Sequence, residues 1–196
     1  MKLPRSFYLR HPVHQVATDL LGKVLYTFID KKVASGMIVE TEAYSFSERG
    51  CHAYGNLRTA RTEVMFKPGG IAYVYLCYGI HHLFNVVTNG AEVAEAVLIR
   101  AIEPLEGKPA MLRRCNASSI NKLTAGPAKL TRALGIDKNC NGKNLLGNKI
   151  WLADCGIKIA TKSVKATTRV GIDYAGDDAM LPWRFLINDN PWISRS

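Results

Sequence analysis

Two carboxylates stand two residues apart in the segment "VETEAY", residues 39–44. Glu40 and Glu42 are flanked by residues that favour β-strands, and side chains two positions apart along a strand point to the same face. Such a pair is either a solvated strand face or a place where the fold keeps a carboxylate for chemistry, such as the activation of a water molecule by a general base. The spacing alone leaves both interpretations open.

Arg100 interrupts an apolar, strand-like run, "VLIRAI", residues 97–102. A buried guanidinium without a partner is very costly, so Arg100 must meet a carboxylate or a phosphate. One interpretation is a structural ion pair with Glu40 or Glu42. The other is that Arg100 holds a phosphate or aligns a catalytic carboxylate.

Three tyrosines lie in the run "IAYVYLCYG", residues 71–79. Tyr73 and Tyr75 share one face of a predicted strand, which is typical of core or half-buried packing. Tyr78 falls beside Gly79 at a predicted hairpin tip, where its ring must pack on a neighbour or enter a partner. In a basic protein that partner could be a stack of bases opened by a wedging side chain.

The charge of the chain points to a polyanionic partner. The 196 residues carry a formal net charge of +10 at pH 7, and residues 108–170 hold 13 of the 26 Lys and Arg side chains but only Asp137 and Asp154 among the acids. Because the basic residues are scattered rather than gathered on one amphipathic helix face, nucleic acid is favoured over a membrane surface.

The sequence predicts neither a metal site nor a secretory signal. The five cysteines form no CxxC pair, and the adjacent His81 and His82 would point to opposite faces of a strand, so neither a metal nor another cofactor is expected. No run approaches the roughly 18 apolar residues of a membrane span, and no apolar run follows the basic N-terminus. We therefore expect a reduced, cytoplasmic protein.

The elements that must position these side chains can be read from hydrophobic periodicity and turn residues. Helices are predicted over 12–22 and 126–135, each with a proline near its start and a glycine at its end. Strands are predicted over 23–29, 36–44, 71–79, 81–90, 95–104, 149–153, 167–173 and 183–188. The pattern predicts one mixed α/β domain rich in antiparallel hairpins.

Five blocks are familiar as an ordered set: "VETEAY", "RTARTEVMFKPGGIAYVYLCYGIHHLFNVV", "AVLIRAIEPLEG", "AGPAKLTRALG" and "TRVGIDYAGDDAMLPWRFLI". With them the chain resembles the 3-methyladenine DNA glycosylases of the alkyladenine type, a base-excision repair family, over nearly its whole length. The resemblance implies a single compact α+β domain over residues 1–196, built around a curved, mainly antiparallel sheet with flanking helices. It also implies hydrolysis of the N-glycosidic bond of an alkylated purine flipped out of duplex DNA.

The resemblance also implies roles for individual residues. Glu42 matches the base that activates water, Arg100 its partner near the target phosphate, and Val170 the backbone carbonyl that also holds the water. The base-contacting positions are Tyr44, His52 and Tyr75, which sandwich the flipped base, and Asn85, which discourages normal guanine. Tyr78 matches the side chain that fills the vacated place in the duplex.

The resemblance gives Glu40 no catalytic role, so Glu40→Gln is expected to leave activity largely intact. Because no lysine stands where the family's nucleophile would be, we expect a monofunctional, monomeric glycosylase without a lyase step, acting on chromosomal DNA. Two alternatives are a catalytically inactive nucleic-acid-binding module of the same fold and a hydrolase of free nucleosides. Retention of both Glu42 and Arg100 argues against the first, and the positive charge and Tyr78 argue against the second.

Overall fold

One antiparallel sheet carries most of the ordered backbone. The computed structural model describes residues 1–194. Its strands are β1 (Val24–Ile29), β2 (Lys32–Ser45), β3 (Ala72–Cys77), β4 (His81–Val87), β5 (Glu95–Pro104), β6 (Ile150–Ala153), β7 (Val164–Thr167) and β8 (Arg184–Ile187). They pair in the order β3-β4-β5-β2-β1-β6, while β8 pairs with both β2 and β7, and every pairing is antiparallel.

Strand β2 is the centre of the sheet and changes partner along its length. One edge pairs with β5 from Gly36 to Ser45, whereas the other pairs with β1 from Lys32 to Met37 and with β8 from Glu40 to Glu42. The register with β5 shifts on both sides of Glu40, which is the signature of a β-bulge and bends a strand locally. The two carboxylates of "VETEAY" therefore lie where the sheet divides.

Four helices flank the sheet: α1 (Arg5–Tyr8), α2 (Val13–Asp19), α3 (Lys108–Cys115) and α4 (Pro127–Leu134), with 3₁₀ turns at Tyr54–Asn56, Glu63–Phe66, Lys138–Cys140, Thr161–Ser163 and Asp173–Met180. The buried Thr41 hydroxyl of β2 donates to the Ala17 carbonyl of α2 at 2.9 Å. The Thr131 hydroxyl of α4 donates to the His82 carbonyl of β4 at 2.7 Å. These bonds fix helices against both halves of the sheet.

Apolar residues fill two clusters. The larger one joins the inner faces of α2 and α4 to β1, β2 and β5, and includes Leu20, Leu25, Ile38, Ile99 and Leu130, all fully buried. The smaller one lies under the loop between β2 and β3 and includes Phe66 and Tyr73. All five cysteines are free. The mixed α/β class and the mainly antiparallel sheet with flanking helices in one compact domain are confirmed.

The structure corrects several predicted boundaries. The helix predicted over 12–22 ends at Asp19, and the strand predicted over 36–44 begins at Lys32 because Asp30 and Lys31 form the preceding turn with positive φ angles of 54° and 56°. Helix α3 was not predicted, although Gly107 before it and a proline in its first turn are helix-start signals.

The strand predicted over 167–173 is wrong. Strand β7 ends at Thr167, and a 3₁₀ segment begins at Asp173. Between them the backbone leaves the sheet, with Gly171 at a φ of +75°, and the Arg169 side chain is buried against residues of other elements. Tertiary contacts of one charged side chain thus override a local pattern that resembles a strand.

Candidate active site

A cavity of about 510 Å³ opens between the end of β2, the β3–β4 hairpin and the segment after β7. Contributions come from strands β2, β3, β4 and β5, from the loop at residues 50–52, and from the start of α4. All eight residues predicted as site residues line it: Glu42, Tyr44, His52, Tyr75, Tyr78, Asn85, Arg100 and Val170. Residues separated by up to 128 positions in the chain therefore share one space.

Glu42 is fully buried, and its carboxylate accepts two hydrogen bonds and forms an ion pair with Arg100. Oε1 accepts from the Val170 backbone N–H at 2.9 Å and lies 3.1 Å from Arg100 Nη1, while Oε2 accepts from the Tyr44 hydroxyl at 2.8 Å. An ionised carboxylate is an acceptor only, so three converging donors fit its charged form. Such a group can accept a proton from a water molecule.

Tyr44 keeps its proton in this arrangement. Burial raises the pKa of its phenol well above the ordinary value, and the neighbouring charge of Glu42 raises it further. The hydroxyl therefore acts as a donor to Glu42, and Tyr44 also lines the cavity. The one side chain can thus both hold the carboxylate and form part of the cavity wall.

Arg100 bridges both carboxylates. Its side chain is 7% exposed, its Nε donates to Glu40 Oε1 at 2.9 Å, and its Nη1 lies 3.1 Å from Glu42 Oε1. Burial opposes its charge, but the charges of Glu42 and Glu40 raise the pKa of the guanidinium above its ordinary value. The predicted ion pair is confirmed with both partners. The solvated interpretation is wrong for Glu40 and Glu42, since both are fully buried.

Aromatic rings form one side of the cavity. The rings of His52 and Tyr75 meet edge to face, with centroids 4.6 Å apart, and Tyr73 packs behind them at 5.5 Å from Tyr75. Tyr73 is buried and Tyr75 is partly exposed to the cavity, as the shared strand face predicts. Asn85 is buried beside them and donates from its amide to the Tyr73 carbonyl at 3.2 Å.

His52 is held neutral by its surroundings. Its Nδ1 lies 2.9 Å from the Tyr73 hydroxyl and its Nε2 lies 3.1 Å from Arg61 Nη2. Burial, and then the charge of Arg61, lower the pKa of the imidazole to about 4. Because a guanidinium can only donate, Nε2 must be the acceptor and Nδ1 carries the proton. The Arg61 guanidinium also lies 5.0 Å above the Tyr75 ring.

The segment after β7 reaches the cavity through a buried arginine. The two terminal nitrogens of Arg169 each contact one oxygen of Glu48 at 2.8 Å, and Nη1 also donates to the Ala43 carbonyl at 3.0 Å. Its guanidinium lies 4.8 Å from the ring centre of Tyr44 and 5.4 Å from that of Trp183. This anchor fixes the next residue, Val170, whose amide meets Glu42.

Tyr78 stands at the tip of the β3–β4 hairpin, as predicted. Its φ is 50° and that of Gly79 is 72°, and the Ile80 N–H donates to the Cys77 carbonyl at 3.2 Å, a turn that matches the twist of the two strands. The Tyr78 side chain is 88% exposed, and no atom lies within 4 Å of the position that a Cβ at Gly79 would take. The hairpin thus projects an aromatic ring at the rim of the cavity.

The pattern of the family described as "Methylpurine-DNA glycosylase (MPG)" matches residues 6–191. The chain belongs to this family. A protein from Carboxydothermus hydrogenoformans is 46% identical over 195 residues, and one from Alkaliphilus oremlandii is 43% identical over 204 residues, each covering 100% of both chains. One from Chlamydia felis is 43% identical over 189 residues, which are 95% of this chain and 96% of that protein. All three bear the name "Putative 3-methyladenine DNA glycosylase".

The family membership confirms the resemblance seen in the sequence. A methylpurine-DNA glycosylase is a DNA-repair hydrolase that binds DNA, so the cavity described above is the candidate active site of such an enzyme. Within residues 1–194, no helix is long and apolar enough to cross a lipid bilayer. Over the same residues, no three His, Cys, Asp or Glu side chains are grouped in a way that could hold a metal ion.

Sequence reasoning missed two residues that hold parts of the cavity in place: Arg61, which lines the cavity, and Arg169, which lies behind it. Arg61 lies in a polar loop, "RTARTE", where nothing in the spacing distinguishes it from a solvated arginine. Arg169 stands next to Val170 but was assigned to a strand. No local pattern marked it, because its carboxylate partner, Glu48, lies 121 residues away in the chain.

Proposed function

We propose that this DNA-3-methyladenine glycosylase flips alkylated purines out of duplex DNA and hydrolyses their N-glycosidic bond with a water molecule activated by Glu42. The observation that carries the proposal is the buried Glu42 carboxylate, held by Arg100, Tyr44 and the Val170 amide in a cavity lined by aromatic rings. The cavity volume of about 510 Å³ is in the range of small-molecule sites and accommodates one purine.

The chemistry follows from the charges that develop during cleavage. As the base departs, the sugar becomes an oxocarbenium-like cation, and an adjacent carboxylate both stabilises that cation and accepts a proton from the attacking water. Alkylation at N3 or N7 makes the base cationic and a good leaving group, so little acid catalysis is needed. We assign a second hold on the water to the Val170 carbonyl, and contact with the target phosphate to Arg100.

Selection of the damaged base is assigned to the cavity walls. Tyr44, His52 and Tyr75 would sandwich the flipped base, and the faces of the tyrosine rings attract a cationic purine more than a neutral one. A neutral His52 adds no repulsion toward that cation, in keeping with its lowered pKa. Asn85 beside the wall would meet the 2-amino group of normal guanine and disfavour it.

Tyr78 is assigned to fill the place that the flipped nucleotide leaves. Extrusion of a base costs a few kcal/mol, and a wedging ring stabilises the extruded state by replacing the lost stacking. The exposed Tyr78 ring is placed at the cavity rim, where such a wedge is needed. Phosphate contacts made by the basic surface offset part of the same cost.

We propose that the reaction stops at the abasic site. A lyase step needs an amine nucleophile, and none of the described residues that line the cavity is a lysine. We also propose that the enzyme acts as a monomer on chromosomal DNA in the cytoplasm, because one chain supplies all the residues assigned to the reaction.

The test uses duplex DNA treated with a methylating agent and, in parallel, the corresponding alkylated nucleosides. Free 3-methyladenine should be released from the duplex and not from the nucleosides, and the DNA strand should break only after alkaline treatment. Binding to the damaged duplex without release of a base would indicate the inactive binding module. Release from nucleosides at a similar rate would indicate a nucleoside hydrolase, and strand breakage without alkali would contradict the monofunctional reaction.

A further inference from the structure

Behind the cavity, Glu40 is the centre of a buried polar network. Its Oε1 accepts from Arg100 Nε at 2.9 Å, from Arg184 Nε of β8 at 2.7 Å and from the Ser194 hydroxyl at 2.9 Å. Its Oε2 accepts from the Ser194 backbone N–H at 2.7 Å. Glu40 is exposed neither to solvent nor to the cavity. Its accessible surface is 0%, and it is not among the residues that line the cavity.

Ser194 completes the support of Arg100 from the side opposite Glu42. Its hydroxyl oxygen accepts from Arg100 Nη2 at 3.1 Å while its proton goes to Glu40, so one hydroxyl joins the guanidinium to the carboxylate. Ser194 itself is 7% exposed. Three nitrogens of Arg100 are therefore directed: Nε to Glu40, Nη1 to Glu42 and Nη2 to Ser194.

We propose that Glu40 and Ser194 are positioning residues, which orient the Arg100 guanidinium so that its Nη1 stays on the Glu42 carboxylate during base excision. This inference rests on the function proposed above for Arg100 and Glu42. Both residues act through Arg100, because neither lines the cavity.

The physical reason is the geometry of a planar guanidinium. An arginine side chain has several rotatable bonds, and one contact through Nη1 would leave the plane free to turn about it. Contacts at Nε and Nη2 on the far side remove that freedom. The charges of Glu40 and Glu42 also balance those of Arg100 and Arg184, so the buried group is neutral as a whole and each charge has a partner.

The first experiment compares Ser194→Ala with Ser45→Ala. Each variant removes a buried serine hydroxyl that donates to a carboxylate, at 2.9 Å to Glu40 and at 3.1 Å to Glu95, but Ser45 is not part of the cavity or of the Arg100 network. Ser194→Ala should lower the single-turnover rate of base excision about tenfold, because a small misplacement of a catalytic group is costly. Its dissociation constant for abasic-site duplex should stay within about twofold. Ser45→Ala should change neither.

A wild-type rate for folded Ser194→Ala would overturn the proposal, and so would a parallel loss of rate and of DNA affinity. Should Ser194→Ala fail to fold, Glu40→Gln takes its place with the same expected split. That variant keeps the shape but removes the charge that orients Arg100. The resemblance alone predicts that Glu40→Gln retains its activity, so the two expectations differ in direction.

A double-mutant cycle tests whether Ser194 acts through Arg100. In an Arg100→Lys background the guanidinium is already gone, so adding Ser194→Ala should lower the rate less than about twofold. A further tenfold loss in that background would place the effect elsewhere and overturn the proposal. If Arg100→Lys itself excises at the wild-type rate, the function proposed for Arg100 fails. If Arg100→Lys is slow and Ser194→Ala is normal, only the positioning role fails.

Discussion

Glu42 owes its arrangement to donors from three places in the chain: the hydroxyl two residues away, the guanidinium of β5 and the amide that follows β7. Each of these donors is itself held. Tyr44 is half-buried with its ring 4.8 Å from the Arg169 guanidinium, Arg100 is bonded to Glu40, and Val170 follows the anchored Arg169. The carboxylate is therefore preorganised, which spares the reorganisation that water-solvated groups need during a reaction.

Replacing Glu42 by glutamine tests its role as the base. Glu42→Gln keeps the shape of the side chain but loses most of its basicity, so excision should fall about a hundredfold or more. Binding to abasic-site duplex should survive. The measurement is the single-turnover release of 3-methyladenine, together with a DNA-binding titration.

Glu95→Gln is the matched control for this variant. Glu95 is also buried in the sheet and accepts from Ser45 at 3.1 Å and from Asn89 at 3.0 Å, but it does not line the cavity. Its replacement should leave the excision rate unchanged. Near-normal excision by Glu42→Gln would contradict the assignment of the base.

His52 makes a prediction about pH. Its pKa is lowered to about 4 in the folded protein, whereas an unfolded chain has a histidine pKa of about 6.5. Between these values the unfolded state binds a proton that the folded state does not. The free energy of unfolding should therefore fall as the pH is lowered from about 6.5 to about 4, and His52→Phe should lose less stability over that range.

An NMR titration measures the same group directly. The imidazole signals of His52, assigned from their absence in His52→Phe, should move only as the pH approaches about 4. In Arg61→Met the titration should shift to higher pH, because a nearby positive charge is removed, but burial should keep it below the ordinary value. A titration near pH 6.5 in the wild-type protein would contradict the neutral wall.

At the scale of elements, the tip of the β3–β4 hairpin exposes apolar side chains to which we assign a role in DNA binding. Tyr78 and Ile80, which lies two residues further along the chain, are 88% and 72% exposed at the tip. Neither side chain therefore contributes to the core. Below the tip, β4 pairs with β5 and accepts a hydrogen bond from Thr131 of α4. A rigid base with an exposed apolar tip is suited to insertion into a base stack.

Tyr78→Ala tests whether the tip acts as a wedge. The variant should melt within about 2 °C of the wild type, because truncating an exposed side chain costs little. It should excise damaged bases more slowly from duplex DNA, and the defect should shrink on single-stranded substrate, where no stack must be held open. Phe28→Ala, which truncates a ring 47% exposed on β1, is the control and should leave both rates unchanged. An equal defect of Tyr78→Ala on both substrates would exclude the wedge, and a large drop in melting temperature would place Tyr78 in the core.

The division of the sheet at β2 is the other element-scale feature with a functional consequence. Where the partner of β2 changes from β1 to β8, next to a bulge, Glu40 pairs with both Arg100 and Arg184, and Glu42 pairs with Arg100. The bulge thus makes room for a buried charge network inside a sheet.

For the whole molecule, the net charge of +10 determines how binding depends on salt. A protein that neutralises about five phosphates loses roughly 500-fold in association constant between 50 and 200 mM salt. We expect a loss of this order for undamaged duplex DNA, measured by fluorescence anisotropy in potassium chloride. A change of less than about threefold would show that the positive charge is not directed at the DNA backbone.

Local patterns in the sequence predicted most of the secondary structure. The strand over 95–104 and the helix at Pro127–Leu134 agree with the structure because alternation, helical spacing and terminal Pro or Gly depend only on near neighbours. Helix α3 was missed. The strand predicted over 167–173 was wrong because Arg169 in this segment is bound by Glu48, which lies 121 residues away in the chain. Local spacing carries no information about such a partner.

The candidate site divides in the same way. By itself, the sequence determined that Arg100 must be paired, that Glu40 and Glu42 share a strand face, that Tyr78 lies at a hairpin tip and, through the resemblance of whole blocks, which family the chain belongs to. Only the tertiary structure decided that both carboxylates are buried, that one arginine bridges them, and that Ser194 meets Glu40 across 154 residues. The physical reason is that the charge of a buried side chain is enough to show that it requires a partner. Which residue becomes that partner depends on how strands and loops pack in three dimensions.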